Sequence, residues 1–186
     1  MPRPPKLSPA VAAMPGAVYS PLGDRIRTRE GPVYPLHVGD TWRDPFAGGR
    51  MQDLAQDAHP GIHRYTATQG IPPLVDAIVE KVRASNAIAC EREQVLVTGG
   101  ATAGLSNAIG ALTEAGDEVL ILAPFWPLIR GIVQGWRATP VEVPFFDRVH
   151  ALEDALAAIE AKRSARTVAL YVSTPSNPSG RVLPAA

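Results

Sequence analysis

From Gln94 onward the chain alternates short apolar runs with helical stretches, and no other feature restricts its fold as much. "QVLVT" (94–98), "DEVLILA" (117–123), "TPVEV" (139–143) and "TVALYVS" (167–173) have strand length and are rich in β-branched residues. Between them, "ATAGLSNAIGALTEA" (101–115) reads as a helix of small residues, and residues 126–136 as the next one. Leu152, Ala155, Leu156 and Ile159 mark another, amphipathic helix with a charged outer face. This spacing predicts an α/β fold with three layers, α/β/α, around a mostly parallel sheet.

Upstream, "GIPPLVDAIVEKVRASN" (70–86) places two prolines in a first helical turn. Leu74, Val75, Ile78, Val79 and Val82 then follow on one helical face. Residues 1–48 hold many prolines and turn formers with little periodicity, so an irregular amino-terminal arm is expected there. No repeat or low-complexity tract interrupts the chain.

With 46% hydrophobic and 19% charged residues, the 186-residue chain is globular rather than disordered. Lys and Arg balance Asp and Glu at 18 each. A neutral chain offers no basic field for nucleic acid or an anionic membrane, so neither partner is expected. The single cysteine, Cys90, cannot form an internal disulfide and suits a reducing cytoplasm; it reads as a small buried hydrophobe. Pro9 and Pro15 interrupt the amino terminus, which therefore does not read as a signal peptide. No apolar run approaches the roughly 20 residues of a membrane helix.

In a parallel sheet, ligands bind beyond the carboxyl ends of the strands, which directs attention to three loops. "TGGATAG" (98–104) runs straight into a helix, where glycines and unpaired helix-start donors favour a phosphate. A plain glycine-rich turn is the ordinary alternative. A dinucleotide fingerprint would need Gly where Ala101 stands and an acid at the end of the second strand. That strand ends in Ala123-Pro124, with Asp117 and Glu118 at its start, so a nicotinamide site is excluded. "APFWPLI" (123–129) puts Trp126 where it could stack on a planar ring, although core or interface tryptophans look the same in sequence. "TPSNPSG" (174–180) fixes Asn177, a donor and an acceptor, between prolines, though Asn is also an ordinary turn former. Phosphate cradle, ring and amide at one sheet edge suit a flat, phosphorylated aromatic cofactor.

These stretches, with "YTATQGIPPLVDAI" (65–78), resemble the ordered signatures of class I/II aminotransferases, pyridoxal-phosphate enzymes of fold type I. The resemblance covers roughly residues 17–184. It implies that residues 49–186 are part of the large pyridoxal 5'-phosphate-binding domain and that residues 1–48 form an arm or small-domain segment. Gly100, Ala101 and Thr102 match the loop that binds the cofactor phosphate. Trp126 matches the aromatic stacked on the pyridine ring, and Asn177 the asparagine at the ring hydroxyl. Tyr65 matches a tyrosine that reaches the neighbouring subunit's phosphate, which implies a homodimer. Gly39, in "LHVGDTWRDPF" (36–46), resembles the glycine beside the substrate carboxylate. The segment around it is longer and more aromatic than the family's usual one, and Ser173 and Thr174 stand where paired asparagines are common.

The resemblance implies amino-group transfer between an amino acid and a 2-oxo acid. It also requires a lysine to hold the cofactor, in a Ser-x-x-Lys setting downstream of the "NPSG" loop. Lys6, Lys81 and Lys162 have no such setting, so the sequence is expected to be truncated before the catalytic lysine and inactive alone. Two alternatives remain: another fold type I chemistry, such as a C–S lyase or an aminocyclopropane-carboxylate-synthase-like reaction, or a non-catalytic aminotransferase-like binding module. No metal is expected. Pro60 and Gly61 break the helix that would align His59 with His63, and His37 and His150 have no partner nearby in sequence.

Overall fold

The computed structural model describes residues 4–14, 23–34, 39, 41 and 43–183. It divides into two compact units, one of residues 1–18 with 99–186 and one of residues 19–98. Among the described residues no helix is long and apolar enough to cross a membrane. The helices and strands are α1 (Pro9–Ala12), α2 (Gly23–Arg27), α3 (Pro72–Asn86), α4 (Ala101–Leu112), β1 (Glu118–Ala123), α5 (Leu128–Gly135), β2 (Thr139–Pro144), α6 (Leu152–Glu160) and β3 (Thr167–Tyr171).

The unit carrying 99–186 is built on a parallel three-stranded sheet in the order β2-β1-β3. Central β1 is apolar on both faces, and Val119, Leu120, Ile121 and Leu122 are almost wholly buried. Alternation sorts them. Val119 and Ile121 pack with Ile109 of α4 and Ile129 and Val133 of α5, while Leu120 and Leu122 pack with Val143, Phe145, Phe146 and the α6 face of Ala155, Ala158 and Ile159. The expected three α/β/α layers are therefore present, with α4 and α5 on one face and α6 on the other. Edge strand β3 is covered less well. Its Ala169 and Tyr171 join the α4/α5 cluster, whereas Val168, Leu170 and the following Val172 stay exposed at 46%, 44% and 42%.

Helix α4 approaches α5 closely because of one small residue. A Cβ on Gly110 would lie 2.5 Å from Cε2 of Trp136, the residue that ends α5, and Trp136 Nε1 donates to Ser106 Oγ one turn earlier at 3.1 Å. Ser106 and Gly110 thus make the shelf on which the indole lies.

In the other unit, α3 starts on Pro72 and Pro73 and ends at Ala87, with φ of 53°. Val75 and Val79 bury against Cys90 and Val95, with Ile78, Val82 and Val97 alongside. Leu74 sits one helical step to the side of that stripe and is exposed. The expected strand over Gln94–Thr98 is not formed. Arg92–Gln94 is a turn of 3-10 helix, and the extended residues after it have no strand beside them among the described residues. Burial still alternates there, with Val95 in and Leu96 out, but Val97 N donates to Gln69 O at 2.9 Å rather than into a ladder. The four strands expected in one sheet are therefore three.

Candidate functional site

The glycine-rich turn expected to hold a phosphate ends at Gly100, the residue before α4. Its φ of 89° and ψ of 167° belong to a region that side chains rarely adopt. A Cβ on Gly99 or Gly100 would meet nothing within 4 Å, so the space beside the backbone is open. Gly104 N closes the first turn onto Gly100 O at 3.2 Å, and neither an acidic residue nor a side-chain cap occupies that turn. The leading N–H groups of α4 and its dipole therefore meet no acidic side chain and no side-chain cap in that turn. A 12-residue helix is about 18 Å long, close to the length of β1. Because the turn after α4 leads into the start of β1, the Ala101 end lies toward that strand's carboxyl edge.

At that edge the chain leaves Ala123 for Pro124, Phe125 and Trp126, and both aromatics are half-buried against the α4/α5 cluster. Helix α5 starts at Leu128 with Pro127 as its cap, so Trp126 stands in the turn before the helix rather than opening it. The Arg130 guanidinium lies 5.7 Å from the centre of the Phe125 ring and pairs with Glu142 of β2. Phe125 is thus held between the cluster and a fixed cation. An open cleft of about 460 Å³ adjoins this turn, lined by Phe125, Glu142, Asp147 and Arg148 among others.

The loop after β3 carries Asn177, exposed, beside Ser176, which is buried. Ser176 N donates to Arg181 O at 2.8 Å, and Gly180 N to Ser176 O at 2.6 Å, which closes the turn on itself. Ser176 Oγ reaches Pro124 O at 3.4 Å. The Arg181 guanidinium donates to Phe146 O and, at 3.2 Å, to Val149 O. Thr174 Oγ1 accepts from Leu183 N at 3.0 Å. The turn with Trp126 and the loop with Asn177 are therefore joined directly. Ser176 and Arg181, which join them, had no signal in the sequence, because their partners lie 52, 35 and 32 residues away.

Gly39 and Tyr65 belong to the other unit. Tyr65 is wholly exposed, and a Cβ on Gly39 would meet nothing within 4 Å. His37 and Trp42, in the segment around Gly39, lie outside the described residues. Lys81 Nζ donates to Asn86 Oδ1 at 2.7 Å, and Lys162 is in the turn after α6. His59 Nε2 lies 3.0 Å from Asp53 O, and His63 Nδ1 lies 3.3 Å from Gln56 Nε2. No group of three or more His, Cys, Asp or Glu able to hold a metal occurs among the described residues.

At the opposite, amino end of β1, Glu118 is 6% exposed. Its carboxylate accepts from Ser164 Oγ at 2.5 Å, from Arg166 Nη2 at 2.6 Å and, more weakly, from Thr167 Oγ1 at 3.4 Å. The Ser164 hydroxyl first, then the Arg166 guanidinium, hold this carboxyl below the usual glutamate range.

Residues 35–186 match the family model "Aminotransferase class I and II". An aspartate aminotransferase of Rhizobium meliloti is 36% identical over 160 residues, covering 85% of this chain and 38% of the relative. An aspartate/prephenate aminotransferase of Thermus thermophilus is 31% identical over 150 residues, covering 81% and 36%. The solved structure of Thermus thermophilus aspartate aminotransferase with maleate matches at a TM-score of 0.60 and 33% identity, over 65% of this chain and 31% of that one. The chain spans less than two fifths of the length of these relatives.

Proposed function

This chain belongs to the aminotransferase class I and II family, and from that premise we propose that it is part of an enzyme moving an amino group between an amino acid and a 2-oxo acid. The family depends on pyridoxal 5'-phosphate. One observation supports the reading: the Trp126 turn and the Asn177 loop follow the carboxyl ends of the neighbouring parallel strands β1 and β3, and Ser176 Oγ joins them at Pro124 O.

The residues present fit that cofactor. Gly100, with positive φ and free space beside it, lets a phosphate approach the N–H groups of Ala101 and Thr102. Trp126 offers a ring face from a half-buried setting, and Asn177 an exposed amide for the ring hydroxyl. When bound, the cofactor supplies an electron sink for the substrate's α-carbon. In this reading residues 49–186 are part of the cofactor-binding domain and residues 1–48 an arm or small-domain segment. Tyr65 serves the neighbouring subunit's phosphate in a cytoplasmic homodimer, and Gly39 lies beside the substrate carboxylate. None of Lys6, Lys81 and Lys162 carries the cofactor.

The test is titration with pyridoxal 5'-phosphate, followed by tryptophan quenching and by cofactor absorbance. Trp126→Ala is expected to weaken binding by roughly 1–2 kcal/mol, the scale of one lost aromatic stack. Equal affinity in parent and variant would show that the ring lies elsewhere.

A further inference from the structure

The two loops bearing Trp126 and Asn177 form a closed circuit of hydrogen bonds that neither residue takes part in. It starts at the carboxyl end of β1, where Ala123 O accepts from Phe145 N at 3.1 Å and Phe146 N at 2.8 Å. Phe146 O then accepts from the Arg181 guanidinium, whose second arm binds Val149 O at 3.2 Å. The backbone of Arg181 accepts from Ser176 N at 2.8 Å, and Ser176 Oγ returns to Pro124 O at 3.4 Å. Pro124 is bonded to Ala123, which completes the circuit. Only two side chains are used, Ser176 and Arg181. Each lies within four positions of Asn177, and the circuit returns to the chain two residues before Trp126.

We propose that Arg181 and Ser176 are positioning residues: together they fix the Asn177 amide relative to the Trp126 ring, so that the loop is set before any ligand arrives. The physical case rests on the donor geometry. A guanidinium presents a planar fork whose two terminal nitrogens reach separate carbonyls in a fixed geometry, whereas the three donors of an ammonium radiate from one nitrogen on a flexible stem. Hydrogen bonds with a charged partner are also stronger than neutral ones, and those of Arg181 and Ser176 are the ones that tie this loop to the Pro124 turn and to the Phe145–Val149 segment. Asn177 itself is exposed. The proposal rests on the cofactor reading above only for its ligand; the loop's fixation is a property of the free chain.

The experiment therefore has two arms, on the 186-residue chain and its variants Arg181→Ala, Arg181→Lys, Ser176→Ala, Asn177→Ala and Arg181→Ala/Asn177→Ala. In the first arm, hydrogen exchange is read at individual amides without ligand. Arg181→Ala is expected to speed exchange at Ser176 and Gly180 by about tenfold, while Leu120 and Ile121 in the sheet stay unchanged. Arg181→Lys is expected to behave like Arg181→Ala, because charge without the fork does not restore the two bonds. Unchanged exchange at Ser176 and Gly180, or equal acceleration at Leu120 and Ile121, would overturn the proposal. In the second arm, pyridoxal 5'-phosphate affinity is measured by tryptophan quenching. Arg181→Ala is expected to weaken binding about tenfold in the parent and to have no further effect beside Asn177→Ala. An equal loss in both backgrounds would show that Arg181 does not act through Asn177, and would also overturn it. If the parent binds no pyridoxal 5'-phosphate, the cofactor reading fails, and the exchange arm alone decides the positioning claim.

Discussion

Asn177 and Gly110 show how much can depend on one side chain, or on the lack of one. If Asn177 meets the ring hydroxyl of the cofactor, Asn177→Ala removes a hydrogen bond that polarises the ring. The expected result is a displaced absorption band of the bound pyridoxal 5'-phosphate, seen by difference spectroscopy against the parent. Gly110 poses a question of sign. Alanine gains about 1 kcal/mol over glycine inside a helix. The added methyl would, however, lie 2.5–2.8 Å from three atoms of the Trp136 indole, which is held by Ser106. Overpacking of that kind costs typically 1–3 kcal/mol. The clash is expected to win, and Gly110→Ala should lower the melting temperature.

At the scale of the element, β1 is an apolar strand with a carboxylate at its first position. Glu118 is held ionised by Ser164 and Arg166, with its pKa below that of the unfolded chain. A depressed carboxyl pKa stabilises the fold fully above the unfolded value of about 4.3, and the contribution fades as pH falls through the lower folded value. The parent should therefore lose melting temperature below about pH 4.3, and Glu118→Gln should flatten that part of the profile. Thermal melts across pH 2–7 check it. The same strand shows what the sequence made legible. Its apolar run was readable because burial on both faces demands one, as were the flanking helices, whose stripes repeat at helical spacing. The Gln94–Thr98 segment misled because Val95 and Val97 alternate as a strand would, and pairing is a property of neighbours, not of the run itself. Trp126 and Asn177 were legible as residue types at loop positions. Ser176 and Arg181 were not, since a guanidinium bound to carbonyls 32 and 35 residues away leaves no local pattern.

For the whole molecule, the distribution of lysines sets an expectation. Lys81 is engaged with Asn86, Lys162 sits beyond α6, and Lys6 precedes α1. None is in the turn before α4 or in the loops after β1 and β3. Borohydride trapping with pyridoxal 5'-phosphate, followed by peptide mapping, should label these three weakly and without preference, and the 186-residue chain should turn over no amino acid. Stoichiometric labelling of one of them, with turnover lost on its substitution, would reverse this.

The two ends of β1 also offer a practical separation. Glu118 and Ala123 stand on the order of 16 Å apart along the strand, about twice the screening length at physiological ionic strength. Glu118 and Arg166 largely cancel at that range, and the exposed Arg166 left by Glu118→Gln is surrounded by counterions. Acid tolerance can therefore be tuned by substitution at the amino end of the strand while the loops at its far end keep the same ligand affinity.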